Sequence, residues 1–130
     1  MLIEGRGIVL QGGAATMRLE RIGDCVAFPG EQTLNVELID GPVRVWNLMI
    51  RRGVVKSSMR VCRNISATRD SSDSRARVML VLDGTYMLRA PGCQDAQLQP
   101  GDGLSLDWPF DGFELVPASR KAAILVTQIH

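Results

Sequence analysis

Arg21-Ile22-Gly23-Asp24-Cys25-Val26-Ala27-Phe28 decides the fold once it is set beside Gln99-Pro100-Gly101-Asp102-Gly103-Leu104-Ser105-Leu106. Each stretch places Gly-Asp ahead of a short apolar-rich run. Glycine supplies the left-handed backbone of a tight turn, and the aspartate carboxylate can accept hydrogen bonds from nearby amides. Working upstream, Ile3-Glu4-Gly5 overlays Leu82-Asp83-Gly84, with 18 residues from Gly5 to Gly23 and 17 from Gly84 to Gly101. Working downstream, each run reaches a proline turn with an aromatic neighbour, Phe28-Pro29-Gly30 and Trp108-Pro109-Phe110. One pattern used twice within 130 residues reads as a single domain, 1–130, of two repeats. The first repeat covers about 1–65, a polar connector about 66–77, and the second repeat about 78–130.

The rest of the chain has the same texture. No stretch of eleven or more residues carries apolar positions at helical spacing. Short runs are instead cut by Gly, Pro and Asp. Strands are expected at Ile8–Leu10, Thr16–Glu20, Asp24–Phe28, Thr33–Leu38 and Val43–Ile50, then at Val78–Asp83, Tyr86–Arg89, Ala96–Gln99, Gly103–Asp107, Gly112–Val116 and Ala122–Ile129. Leu34, Val36 and Leu38 alternate onto one face. Ser66 to Arg77 is polar and mixed in charge, the composition of a solvated connector or of a lid.

Composition excludes several classes. Fifteen basic residues against fourteen acidic ones leave no global field for nucleic acid or an anionic membrane. No apolar run approaches the roughly 18 residues of a membrane-spanning helix, and the N-terminus does not read as a signal peptide. Three dispersed cysteines, Cys25, Cys62 and Cys93, fit reduced thiols acting as small, buried or half-buried hydrophobes in a cytoplasmic protein. The one histidine is His130, the last residue, where chains fray. A barrel metal site needs about three histidines and a carboxylate, so no metal and no cofactor are expected. A Ser-His-Asp or Cys-His centre lacks its histidine for the same reason, and no catalytic residue is assigned.

An acidic-Gly step, a hairpin, then Gly-Asp and a strand is the layout of half a cupin. Several motifs go further. Glu4-Gly5 with Gly7, Phe28 with Gly30, Leu38-Ile39-Asp40-Gly41-Pro42 and Asn47-Leu48-Met49-Ile50-Arg51 resemble the HutD/Ves family over residues 2 to 53. That family carries an aromatic-x-Gly step, a Leu-x-Asp-Gly-Pro turn and a strand reading Asp-Phe-Asn-Leu-Met-x-Arg. The resemblance implies an all-β, two-repeat cupin-like (RmlC-like) barrel or sandwich of the bicupin type, in a cytoplasmic bacterial protein. In some members it implies a link to histidine utilisation, by binding a metabolite such as formylglutamate without turning it over. Two departures stand out. Family members carry an N-terminal segment with Trp-Arg-x-Ser and Phe-Ser-x-Phe-x-Gly, so this chain reads as a bicupin truncated at the N-terminus. Val45-Trp46 also stands where the family has Asp-Phe.

Period two along Val43 to Arg52 puts Asn47, Met49 and Arg51 on one face. An amide, a flexible apolar wall and a guanidinium suit a small carboxylate, because arginine binds carboxylates bidentately. Asn47, Met49 and Arg51, together with Phe28 of the aromatic-x-Gly step, are therefore the candidate ligand-binding residues. The expected function is non-enzymatic binding of a small anionic metabolite. A metal-free acid–base isomerase or lyase is the enzymatic alternative, with Asp24, Glu37 or Asp102 as acid or base and Tyr86 as a donor. An interaction module is the third reading: unpaired strand edges invite pairing, and a homodimer would cover them.

Overall fold

The computed structural model describes residues 1–13, 15–68, 74–107 and 112–130. Thirteen strands and no helix are present among them, so the described residues are all-β. They are β1 (Leu2–Glu4), β2 (Ile8–Gly12), β3 (Ala15–Leu19), β4 (Asn35–Leu38), β5 (Arg44–Val45), β6 (Ser57–Arg63), β7 (Ala67–Thr68), β8 (Ala76–Asp83), β9 (Tyr86–Arg89), β10 (Ala96–Leu98), β11 (Gly103–Asp107), β12 (Glu114–Pro117) and β13 (Ala123–Ile129). The strands fall into two compact units, Met1–Met49 and Ile50–His130.

The second unit holds two four-stranded antiparallel sheets, ordered β11-β8-β13-β6 and β10-β9-β12-β7. β8 alternates between half-buried and buried residues, as a strand with one face on a core must. β13 lies between β8 and β6, and its apolar run is buried on both faces. Met79, Val81, Ile124 and Val126 of the first sheet meet Tyr86 and Leu115 of the second in one core that also takes in Phe113 and Ala122. Fully burying such a side chain contributes roughly 1.5–3 kcal/mol each.

The first unit is smaller. A three-stranded sheet, β3-β2-β4, accompanies a two-stranded one, β1-β5. Leu2, Ile8, Leu10 and Leu19 form its buried cluster, with Met17, Ile22, Val26, Leu34 and Val43 packed around them.

The two units repeat one another bond by bond. The Gly23 amide donates to the Leu2 carbonyl and the Leu2 amide to the Asp24 carbonyl; Gly101, Val81 and Asp102 make the same pair. Each Asp amide then donates three residues back, Asp24 to Arg21 and Asp102 to Gln99. Each Asp carboxylate accepts in return, from the Arg21 and Gln99 amides at 2.9 and 2.8 Å. Both glycines have the left-handed φ that the turn requires, +101° and +96°. One extra residue bulges at Ile3, between the pairs Leu2–Val45 and Glu4–Arg44, and one at Leu82, between Val81–Ile124 and Asp83–Ala123. Gly5 and Gly84 are each pressed against a carbonyl of the returning strand, Pro42 and Lys121 respectively.

Three expectations need correction. The Asp24–Phe28 strand does not form. Its counterpart β11 pairs with Ala76–Leu80, the residues just before Val81. The Val43–Ile50 strand shrinks to Arg44–Val45, which pairs with β1; Trp46 still exchanges two backbone hydrogen bonds with Met1, and 47 to 50 are irregular. The unit boundary falls at 49/50, earlier than the expected repeat limit, because β6 pairs with β13. The connector holds β7 and the start of β8. Residues 69–73 and the Trp108-Pro109-Phe110 turn lie outside the described residues.

Candidate functional site

The expected ligand residues do not share a strand face. Asn47 and Met49 follow β5 in irregular backbone, and Met49 is 85% exposed. Arg51 is exposed at the start of a turn, where its carbonyl accepts from the Val54 amide. Phe28 is exposed in the strandless segment after Asp24. The period-two argument that grouped Asn47, Met49 and Arg51 fails because the strand it assumed ends at Val45.

The structure brings a different set together. On the core face of sheet β11-β8-β13-β6, cross-strand register stacks three rows. Val81, Ile124 and Cys62 form one, and Leu104, Met79, Val126 and Arg60 the next. Leu106, Arg77, Gln128 and Ser58 form the third. Directly opposed residues of an antiparallel pair carry their Cβ atoms about 5 Å apart on one face. The guanidinium side chain of Arg77 is only 3% exposed, and Gln128 opposite it 5%. An arginine stays charged when buried, so it must be compensated. Both residues do engage other groups, as does the buried Ser74 just ahead of β8. The interior face thus runs from apolar at Val81–Ile124 to polar at Arg77–Gln128, four residues or about 13 Å along β8.

Tyr86 of β9 lies in the same core, fully buried, and its hydroxyl has no hydrogen-bond partner among the described residues. Burial pushes its pKa up, and the nearby Cys62 thiol adds to the rise. Cys62, half-buried, packs on this core, whereas Cys25 and Cys93 are exposed, unlike the buried hydrophobes expected.

The proposed acid–base carboxylates sit elsewhere. Asp24 and Asp102 cap their turns, and Glu37 is exposed on β4. Amide donation from Arg21 and Glu20 lowers the pKa of Asp24, as suits a capping carboxylate rather than a base. No Asp or Glu is buried among the described residues, and none of their His, Cys, Asp and Glu side chains gather into a metal-holding group. His130 is not frayed: its backbone exchanges two hydrogen bonds with Lys56. Among the described residues no helix is long and apolar enough to cross a membrane.

Comparison with known proteins places this geometry. The HutD family matches residues 1–125. The chain belongs to the HutD family. A conserved protein of unknown function from Pseudomonas aeruginosa PAO1 superposes with a TM-score of 0.76 at 18% identity. The match covers 98% of this chain and 66% of that one, so the HutD chain described here spans just under two thirds of that protein's length. A cupin-2 domain protein from Shewanella frigidimarina NCIMB 400 gives a TM-score of 0.38 at 12% identity, over 62% of this chain and 76% of its own. No curated protein matches.

Sequence reading missed Arg77 by assigning it to the connector. The signal was present: Arg77, Met79 and Val81 hold one parity, so a strand that buries Met79 and Val81 also buries Arg77.

Proposed function

We propose that this HutD protein is a non-enzymatic binder of a small anionic metabolite, held inside the second unit by Arg77. The observation that supports this reading is the buried Arg77–Gln128 pair on the inner face of a sandwich whose remaining rows are mostly apolar. A guanidinium offers five N–H donors in a planar fork, the geometry that holds a carboxylate bidentately. Gln128 supplies an amide beside it, and Met79 and Val126 an apolar wall. A charge-assisted bond of this kind contributes roughly 1.5–3 kcal/mol. The family resemblance favours metabolites of histidine utilisation, which makes formylglutamate, urocanate and glutamate the first probes. Arg51 with Asn47 remains the competing anchor from the sequence pattern.

Thermal unfolding with each probe tests the proposal. A dicarboxylate should raise the midpoint of the native protein and of Arg51→Ala, but not of Arg77→Met. Arg77→Lys, which keeps the charge and loses the planar fork, should reduce the shift without abolishing it. No shift with any carboxylate, or an equal shift in Arg77→Lys and the native protein, counts against the proposal. A shift lost only in Arg51→Ala moves the site to the 46–51 segment.

A further inference from the structure

On β6 of the second unit the usual alternation is turned round. Ser57, Met59 and Val61, on the face away from the core, are half-buried, while Ser58 and Arg60, on the core face, are exposed. One strand inward on that same core face, Val126 and Gln128 are each 5% exposed. The core face therefore passes from sealed to open within one strand spacing, about 5 Å, with Ser58 and Arg60 at the mouth. The ladder runs one pair further. Lys56 and His130 exchange two backbone hydrogen bonds, which keeps Lys56 on the face of Ser58 and Arg60. Arg18, Arg44 and Arg89, on or beside other strands, each meet a carboxylate: Glu20, Glu4, and Asp95 together with Glu114. Among the described residues Arg60 and Lys56 form no ion pair. The facing sheet offers them no acid, because its one acidic strand residue, Glu114, is held by Arg89.

We propose that Arg60 is the second anchor of the anion site, so that the ligand is a dicarboxylate gripped at both ends. The inference rests on the reading of Arg77 given above. Arg77 and Arg60 share the core face, two strands and two residues apart, which sets their Cα atoms about 12 Å from one another. Two arginine side chains at that separation can close on one small molecule from two sides. Gln128 and Ser58 stand in the row that runs from Arg77 to β6, and they add an amide and a hydroxyl between the two guanidiniums. One carboxylate meets the buried Arg77 and the other meets Arg60 at the mouth, each able to accept a bidentate pair. Met79 and Val126, in the row of Arg60, lie along the carbons between them. Lys56, further out on the same face, adds positive potential that draws an anion toward the opening. A monocarboxylate of the same length leaves Arg60 unused and sets a methyl group at the wet mouth.

Isothermal titration of the full chain with glutarate and with pentanoate, equal in length and differing in one terminal carboxylate, is the test. The native protein should prefer glutarate by about tenfold or more, the worth of one charge-assisted contact. Arg60→Gln should bring that ratio close to one, and Arg60→Lys should leave it in between. Arg63→Gln, the same loss of charge on the other face of β6, should leave the ratio as it is. A second measurement uses the native protein alone. Phenylglyoxal should modify the exposed Arg60 and Arg63, and glutarate should slow the reaction at Arg60 only, read by peptide mass. Glutarate binding that Arg77→Met abolishes, with a ratio indifferent to Arg60→Gln or with no protection of Arg60, overturns the second anchor and leaves the reading of Arg77 standing. The charges on β6 would then serve only to guard an edge strand against pairing. Binding of neither acid, or binding untouched by Arg77→Met, overturns the reading of Arg77 and this inference with it.

Discussion

Val36 and Leu115 hold the same place in two copies of one pattern, since the Ile39 amide donates to the Gly7 carbonyl as the Ala118 amide donates to Thr85. Yet one is largely in water and the other has no exposed surface. The turns, bulges and glycines of the two units agree almost atom for atom. What differs is how many strands gather on them. In the second unit the strand after Gly101-Asp102 finds β8, and β12 finds β7. In the first, the segment after Gly23-Asp24 forms no strand and β4 is an edge. Turn chemistry is local and repeats wherever the residues repeat. Burial is collective, and it appears only where a neighbouring strand supplies the other wall.

Matched substitutions break or sharpen this contrast. The largest effect is expected at Gly84→Ala, where a Cβ would run into the Lys121 carbonyl at a backbone φ of +68°. A loss of about 3 kcal/mol or more in chemical denaturation is the expectation. Gly5→Ala, with the Pro42 carbonyl 2.6 Å from the new Cβ, should be costly too, though less so. Equal tolerance at both glycines would show that the shared approach of turn and strand carries no strain.

Leu115→Ala should cost about 2–5 kcal/mol, since it opens a cavity in a closed core. Val36→Ala should cost under about 0.5 kcal/mol. Comparable losses at the two sites would mean that the first unit is closed in solution.

Acid sensitivity gives a smaller difference. The pKa of Asp24 is lowered in the folded state, so the stability it contributes is present above the ordinary carboxylate range and fades as pH falls through and below that range. Asp24→Asn should flatten the acid limb of a stability–pH curve measured by urea unfolding. An unchanged limb would remove the cap from the account of acid unfolding. The smallest effect is expected at Tyr86→Phe. Removing a buried hydroxyl without a partner should leave stability unchanged or raise it by up to about 1 kcal/mol. Tyr86 is the sole tyrosine, so phenolate absorbance reports it alone, and its midpoint should lie above that of a free tyrosine until the protein unfolds.

Legibility in sequence followed the same division between local and collective. Gly-Asp turns, the overlay of Ile3-Glu4-Gly5 on Leu82-Asp83-Gly84, and the limits of β9 and β11 were readable because glycine and alternation act over a few residues. β6 was missed: Ser57, Ser58, Arg60 and Arg63 dilute its apolar positions, and its strand character comes from β13, which follows it by about sixty residues. Val43 to Ile50 was over-read for the opposite reason, an apolar alternation with a strand partner only at its start. The ligand residues inferred from that strand inherited the error, and Arg77 was hidden at a boundary drawn by composition when its parity with Met79 said otherwise.

The place of β13 has a consequence for the newly made chain. It is the inner strand between β8 and β6, pairing Ile129 with Ser57 and with Ala76. Until it docks, β6 and β8 have no ladder between them, and Met79 and Val81 lack Ile124 and Val126 beside them. The second unit is therefore closed by contacts of long sequence separation, slow to nucleate and exposed to aggregation until they form. The seven residues of β13 act as the closing strip of the sheet.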